Sequence, residues 1–498
     1  MIYLIQIPWY FHKNAVAAMS QNLGLGYIAS FLELYGYKVK IIDAYGEGFN
    51  IEHFENIEGQ IMKRIGLSFQ DIVNRIGNDV QFVGVSVPFT MYADIAKKLI
   101  LQIKDRFPKV PLVMGGVFPS TLPKFAMENT KADFVIVGEG ELAMYKLIKG
   151  ENPEYIKGVA FRKEGKIIAT GKAEGISNLD SIPFPARHLL PFEKYIQHSQ
   201  RGNTMDRTAS IITSRGCPYD CDFCSVHNVV DYKWRFRSVE NIMSEIDELV
   251  TKYQVNSIEF EDDNITLDRK RSEELFDKII EYNQKYPEKR VIWNCHNGIR
   301  VDTLNQSLML KMKESGCQTI GLGVECGDEY VLKSMKKKLD LNKVLEIAKI
   351  GQKIGIRMSA FMIIGHPGET HERFLNSLNF FLKLKKSGVS FFAIHIIKTY
   401  PGTELYQYCL EKGYLSSKHP ISLKNVVEGL SNSEKNCVDI ITEDFTAEEI
   451  IQRKNIAYRK LMPVDHYLEK IKPVVKLLKK VVPQKIKSRV HVFLQEYV

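Results

Sequence analysis

Three cysteines fall within the run Cys217-Pro218-Tyr219-Asp220-Cys221-Asp222-Phe223-Cys224. Thiolates at this spacing can occupy three corners of an iron–sulfur cubane and leave the fourth iron open to a ligand, whereas a purely structural cluster takes four cysteines. A zinc site or buried apolar cysteines are the alternatives, but zinc motifs rarely use a lone C-x3-C-x2-C. The remaining cysteines, Cys295, Cys317, Cys326, Cys409 and Cys437, lack ligand spacing and suit buried small hydrophobes. Eight cysteines among 498 residues form no disulfide framework and fit a reducing cytosol.

Other chemistry-bearing residues lie downstream. An apolar run ends in Glu259-Phe260-Glu261-Asp262-Asp263-Asn264, an acidic terminus that suits an ammonium partner or a solvated turn. Two later runs end in Gly321-Leu322-Gly323-Val324-Glu325 and in Phe361-Met362-Ile363-Ile364-Gly365-His366-Pro367-Gly368-Glu369-Thr370. Polar candidates on or beside such runs are His296, Asn297, Arg300, His366 and His395; a lone histidine on a strand is more often a satisfied core residue.

These groups need a scaffold, and the hydrophobic pattern supplies one. Six strand–helix units, with strands near 209–214, 256–261, 290–295, 318–324, 357–364 and 390–397, predict a partial, open TIM-type barrel with the cysteines at the C-terminal end of its first strand. The first third alternates too, with strands at Ile2 to Ile7, Lys38 to Asp43, Phe82 to Val87, Pro111 to Gly115 and Phe134 to Val137, which calls for a doubly wound parallel sheet. The α/β chain therefore divides into a Rossmann-like domain over 1–150, a linker with a small hairpin over 151–205, the barrel over 206–410 and a helical region over 411–498. The excess of 68 basic over 59 acidic residues is too small for the length to point to nucleic acid. Part of it lies between Pro473 and Pro483, an amphipathic basic helix expected to dock on the barrel or to touch an anionic membrane surface. No run reaches the ~18 apolar residues of a spanning helix, so a cytoplasmic location is expected.

The cysteine motif, following a strand and with the aromatic Phe223 before its third cysteine, resembles the radical S-adenosylmethionine superfamily. The resemblance implies that Cys217, Cys221 and Cys224 hold a four-iron four-sulfur cluster that cleaves S-adenosylmethionine. It also implies that Glu261, Asp262 and Asp263 meet the amino group of that ligand, that Glu325 meets its ribose or methionine part, and that Ile364 lies near its adenine. Arg300 is then placed to pair with a carboxylate of S-adenosylmethionine or of substrate. Glu369 reads more simply as an N-terminal helix residue offsetting the dipole.

Tyr400-Pro401-Gly402-Thr403-Glu404-Leu405 is typical of one branch, in which a cobalamin-binding domain precedes the barrel. That branch groups class B methyltransferase-like enzymes with the magnesium-protoporphyrin ester cyclase and phosphonate methylase enzymes. Residues 1 to about 145 resemble the cobalamin domain through Leu23-Gly24-Leu25-Gly26-Tyr27, Val83-Gly84-Val85-Ser86, Gly115-Gly116 and Val137-Gly138-Glu139-Gly140-Glu141. Ser86, Gly115, Gly116, Gly138, Glu139 and Gly140 are its implied cobalamin contacts. D-x-H-x-x-G is absent, so the lower cobalt ligand would not come from that motif. The implied reaction is methylation of an unactivated carbon of a small-molecule or lipid substrate, with electrons from a donor such as flavodoxin or ferredoxin. Radical cyclisation or rearrangement and a non-catalytic cofactor sensor are the alternatives.

Overall fold

Within the first strand Ile2 and Leu4 pack into one apolar cluster and Tyr3 and Ile5 into another, all fully buried, so this strand needs helices on both faces. The computed structural model describes residues 1–12, 19, 21–57, 60–197, 206–415 and 438–463. Cys437 and the basic helix expected between Pro473 and Pro483 lie outside the described residues. No helix among those described is long and apolar enough to cross a membrane.

The strands of the first half are β1 (Ile2–Gln6), β2 (Trp9–His12), β3 (Val39–Asp43), β4 (Glu52–Ile57), β5 (Gln60–Ile65), β6 (Phe82–Ser86), β7 (Leu112–Gly115), β8 (Phe134–Ile136), β9 (Val159–Lys163) and β10 (Lys166–Ala169). Seven of them form one sheet in the order β10-β9-β8-β7-β6-β1-β3, parallel from β3 to β8 and antiparallel beyond. The hairpin β9–β10, expected in a connecting segment, therefore extends this sheet. Its Val159, Ala160 and Phe161 are buried against β8, which leaves no apolar edge bare there. The chain leaves β1 towards β3 on one side and reaches β6 on the other, so a crevice opens past the C-terminal ends of β1 and β6. A three-stranded antiparallel sheet, β2-β5-β4, was not expected from the sequence.

The second half contains β11 (Thr208–Ile211), β12 (Ser214–Arg215), β13 (Arg235–Phe236), β14 (Ser257–Phe260), β15 (Ile292–Ile299), β16 (Cys317–Glu325), β17 (Arg357–Ile364) and β18 (Phe391–Ile396). Six are parallel in the order β11-β14-β15-β16-β17-β18, an open barrel in chain order. Its core is one continuous cluster in which Trp293 stacks on Phe276 at 5.0 Å and donates to Ser315 Oγ. The antiparallel ribbon β12–β13 stands apart from the barrel sheet and forms the neck of the loop that carries the three cysteines.

The turn after β7 depends on one glycine. Gly116 has φ +111°, and a Cβ there would lie 2.5 Å from the Val87 carbonyl oxygen. Gly116→Ala is expected to destabilise the fold by about 2–3 kcal/mol. Urea denaturation of the cofactor-free protein would show this as a lowered first midpoint.

Candidate active site

The cysteine loop begins where β12 ends. Gly216, at φ +97°, closes the neck; a side chain there would strike the Lys233 carbonyl oxygen at 2.5 Å. The three thiols are all partly buried. Burial pushes each of them up, Cys224 to about 11, while Lys337 and Arg300 pull Cys221 back down. Such thiols are poor free nucleophiles at neutral pH and suit metal ligation, in which the ion displaces the proton. Among the described residues no three His, Cys, Asp or Glu side chains converge as ligands of a single ion would. The three cysteines nevertheless feel one another electrostatically, an arrangement compatible with the spread corners of a cubane.

The rest of the loop is tied down residue by residue. The Arg300 guanidinium lies 3.6 Å from the ring centroid of Tyr219. His227 Nε2 donates to the Tyr219 carbonyl at 2.8 Å and its ring stacks on Tyr232. Asp222 takes Nε2 of the buried His366 at 2.9 Å, and its backbone pairs with Met335 and Leu405. Phe223 packs with Leu341 and Ile363 on a small cluster containing Leu332 and Met335.

Across the loop lies a cavity of about 320 Å³. Its floor is the C-terminal edge of the first sheet: Leu4, Gly84, Ser86, Val113, Gly115, Gly116, Gly138, Glu139 and Gly140. Its roof belongs to the barrel, with Ile212, Ser214, Arg215, Val229, Val230, Glu261 and Asp263. A Cβ built on Gly115 meets nothing within 4 Å. Bare backbone in an apolar cleft at a topological switch point is what a large planar ligand needs.

The B12 binding domain model matches residues 14–148 and the radical SAM superfamily model residues 211–381. Cytidylyl-2-hydroxyethylphosphonate methyltransferase of Streptomyces wedmorensis is 31% identical over 82% of this chain and 82% of its own length. The chain belongs to the cobalamin-dependent radical S-adenosylmethionine methyltransferase family. An uncharacterized methyltransferase of Pyrococcus horikoshii is 30% identical over 81% of each chain. The cobalamin-dependent S-adenosylmethionine radical enzyme OxsB, solved with aqua-cobalamin and S-adenosylmethionine bound, superposes with a TM-score of 0.73 at 15% identity, over 99% of this chain and 70% of its own. The enzyme's cofactors are a four-iron four-sulfur cluster, S-adenosylmethionine and cobalamin. Three cysteines beside the cavity-lining carboxylate of Asp263 fit the first two, and the glycine floor fits the third.

Several expected contacts of this radical enzyme fall elsewhere than the sequence placed them. Asp262 is 1% exposed, and its carboxylate accepts from the Thr213 amide, Thr213 Oγ1 and Ser214 Oγ, so it ties β14 to β12 and is closed to an ammonium group. Asp263 and Glu261 are the members of that run that reach the cavity. Glu261 is held by Ser210 Oγ and Asn297 Nδ2, each at 3.0 Å. Alternation along β17 buries Ile364, the residue expected near adenine, completely in the core, whereas its neighbour Ile363 is only partly buried and packs on the same small cluster as Phe223. Glu325, at φ +68°, ends β16 with its carboxylate 2.9 Å from Lys337 Nζ. Arg300 Nε and Nη2 are committed to Asp302 and to the Lys338 carbonyl, so this residue braces Tyr219 and has only Nη1 left to offer a ligand carboxylate. Glu369 precedes the Thr370 cap of the next helix, so it lies outside that helix; it faces Arg453 at 3.2 Å, and burial outweighs this partner to push its carboxyl up to about 7.

Four site features escaped the sequence. Arg215 and Arg235 grip Glu139, the residue expected to touch cobalamin, and Lys337 pairs with Glu325. Lys172 donates to the His227 and Val230 carbonyls of the cysteine loop. A register shift between Cys295 and Ile299 makes His296 and Asn297 part of a bulge, where His296 Nδ1 lies 2.8 Å from both oxygens of the buried Glu259. Gly298, at φ +99°, was the one available sign of that bulge.

Proposed function

We propose that this chain transfers a methyl group to a carbon of a small organic substrate held between the glycine cradle and the barrel mouth. The observation that carries the reading is the cavity itself, lined on one side by bare backbone and on the other by Glu261 and Asp263 beside the cysteine loop. Similarity to a cytidylyl-2-hydroxyethylphosphonate methyltransferase supports an organic acceptor. When bound, the cluster with S-adenosylmethionine supplies one-electron chemistry at an unactivated carbon and cobalamin supplies the methyl group.

The protein's own part is to hold and to exclude. Cys217, Cys221 and Cys224 ligate the cluster, and Asp263 takes the ammonium group of S-adenosylmethionine. Glu261, fixed by Ser210 and Asn297, presents an oriented carboxylate to the same cavity. Phe223 and Ile363 wall the cluster side with apolar surface, while Ile212, Val229 and Val230 cover the cradle and keep water from the reacting atoms. An external low-potential donor of flavodoxin or ferredoxin type supplies the electron.

Desolvation by the surrounding cavity walls first, and then the neighbouring Asp262, push the solvent-accessible Asp263 carboxyl up to about 6. An acid raised this far is neutral below that pH and loses its attraction for an ammonium group. The dissociation constant of S-adenosylmethionine is therefore expected to rise as pH falls below about 6, by up to ~10-fold per unit, and to be flat over this range in Asp263→Asn. Equilibrium dialysis of the reconstituted protein measures both.

The reading as a whole is tested anaerobically, by reconstitution with iron, sulfide and hydroxocobalamin, desalting, and assay of 5'-deoxyadenosine after addition of S-adenosylmethionine and dithionite. Retained cobalamin together with 5'-deoxyadenosine supports it. A cluster that forms 5'-deoxyadenosine without retained cobalamin removes the methyl-transfer step, and absence of any cluster removes the radical chemistry too.

A further inference from the structure

All three cysteines lie between Gly216 and Trp234, in a loop whose neck is the ribbon β12–β13. The neck residues Arg215 and Arg235 are directly paired across that ribbon. Both point at the first domain. Arg215 Nη1 donates to Glu139 Oε2 and its Nη2 to Glu141 Oε1, each at 2.8 Å. Arg235 grips the other oxygen of Glu139 and also the Ile176 carbonyl. Glu139 and Glu141 flank Gly140, and Gly138 to Glu141 line the cavity floor. One carboxylate thus connects the turn that cradles one cofactor to both stems of the loop that carries the other.

This link is buried and balanced. The four side chains are between 5% and 12% exposed, two guanidiniums face two carboxylates, and Tyr27 covers Arg215 at 4.9 Å. Burial works to raise the Glu141 carboxyl, but Arg215 holds it below its ordinary range. Buried pairs of this kind add little net stability over an apolar contact, and their best-attested use is to fix one register. The cysteine-bearing half of the loop is anchored to the barrel, but its later part, residues 227–230, is held from the same domain: Lys172 reaches the His227 and Val230 carbonyls, Asn228 donates to Thr121 Oγ1 as well as to the Pro401 carbonyl, and a side chain at Gly138 would lie 3.2 Å from the Val229 carbonyl oxygen. A displacement of the 138–141 turn therefore has a stiff, short path to the cysteines.

We propose that Glu139 is a positioning residue that couples the two cofactor sites, so that filling the glycine cradle sets the geometry of the cysteine loop and each cofactor tightens the other. The inference rests on the cofactor assignment above. Coupling of this kind is reciprocal by thermodynamic necessity. In the cluster-loaded full-length protein, S-adenosylmethionine is expected to lower the dissociation constant of hydroxocobalamin at least ~5-fold, and hydroxocobalamin to lower that of S-adenosylmethionine by the same factor.

Spectral titration and equilibrium dialysis give the two factors, and the electron paramagnetic resonance of the reduced cluster, with and without hydroxocobalamin, gives an independent reading of the loop. Glu139→Gln, nearly isosteric, is expected to bind both cofactors with the coupling reduced to within ~2-fold and the cluster signal insensitive to hydroxocobalamin. Arg235→Lys keeps the charge, loses the fork and should fall between, while Glu154→Gln, which removes a partly exposed pair with Lys163 remote from the cavity, should couple as wild type. Undiminished coupling in Glu139→Gln, or none in the wild type, overturns the proposal. A wild type that takes up a cluster and no hydroxocobalamin overturns the cofactor assignment itself, and the proposal with it.

Discussion

Cys224→Ala, reconstituted anaerobically with iron and sulfide, is expected to hold no stable cubane and to form 5'-deoxyadenosine at least ~10³-fold more slowly than wild type, the scale on which loss of one member of an interdependent catalytic unit is felt. Of the three thiols Cys224 is pushed highest by burial, and its amide donates to the Cys221 carbonyl at 3.1 Å in a tight turn. Alanine keeps that turn and most of the volume, so the protein should fold with its thermal transition little changed. Two thiolates leave a second iron without a protein ligand, and a cubane lacking two such ligands is expected to be lost on desalting. Iron content, the absorption of the oxidised cluster and 5'-deoxyadenosine are the measurements. A variant that keeps full iron and turnover would remove Cys224 from the ligand set and point to another donor on the loop.

The cysteine trio was legible because a cubane dictates both residue type and spacing within one loop, so the chemistry is written in eight consecutive positions. The glycine turns were legible for a related reason: at Gly116 and Gly138 a positive φ and close neighbours leave a side chain no room, and a forbidden side chain leaves a visible residue. The parallel sheets followed from apolar runs at strand length between helical periods. Contacts made across the chain left no such mark. Arg215 and Arg235 find Glu139 over 76 and 96 residues, and nothing local distinguishes them from solvated arginines.

The acidic run shows the same limit at closer range. Four carboxylates follow one another around β14, and only the fold decides that Glu259 goes to His296, Glu261 to Ser210 and Asn297, Asp262 to Thr213 and Ser214, and Asp263 to the cavity. The strand β4 was hidden because Glu52-His53-Phe54-Glu55-Asn56-Ile57 has no consistent apolar face, with residues of both parities exposed. Along β17 a shift of one residue separates the fully buried Ile364 from the partly buried Ile363, a distinction of face that an unbroken apolar run does not carry.

Gly115→Ile is expected to abolish cobalamin retention, weakening hydroxocobalamin binding at least ~100-fold, while leaving the cluster and 5'-deoxyadenosine formation in place. The two adjacent glycines make the argument. Gly116 is held at a positive φ with its missing Cβ pressed against Val87, so any substitution there confuses folding with binding. Gly115 is in ordinary extended backbone at the end of β7, and a Cβ there meets nothing within 4 Å. A branched side chain at this position is therefore tolerated by the protein and enters the cavity, where it removes volume that the ligand needs; overlap of a few methyl groups with a bound ligand is worth several kcal/mol, and ~2.7 kcal/mol is already 100-fold. The outcome separates the two halves of the enzyme. Loss of cobalamin with the radical step intact places the corrinoid over Gly115 and shows that the cluster assembles and turns over without an occupied cradle, with the S-adenosylmethionine dissociation constant raised by only the ~5-fold that the Glu139 link carries. Full retention would place cobalamin elsewhere and leave the glycine floor to the demands of the β7 turn alone. Loss of the cluster as well would mean that the cradle and the cysteine loop stand or fall together, a stronger dependence than the Glu139 link requires, and the two-cofactor architecture would then have to be treated as a single cooperative site.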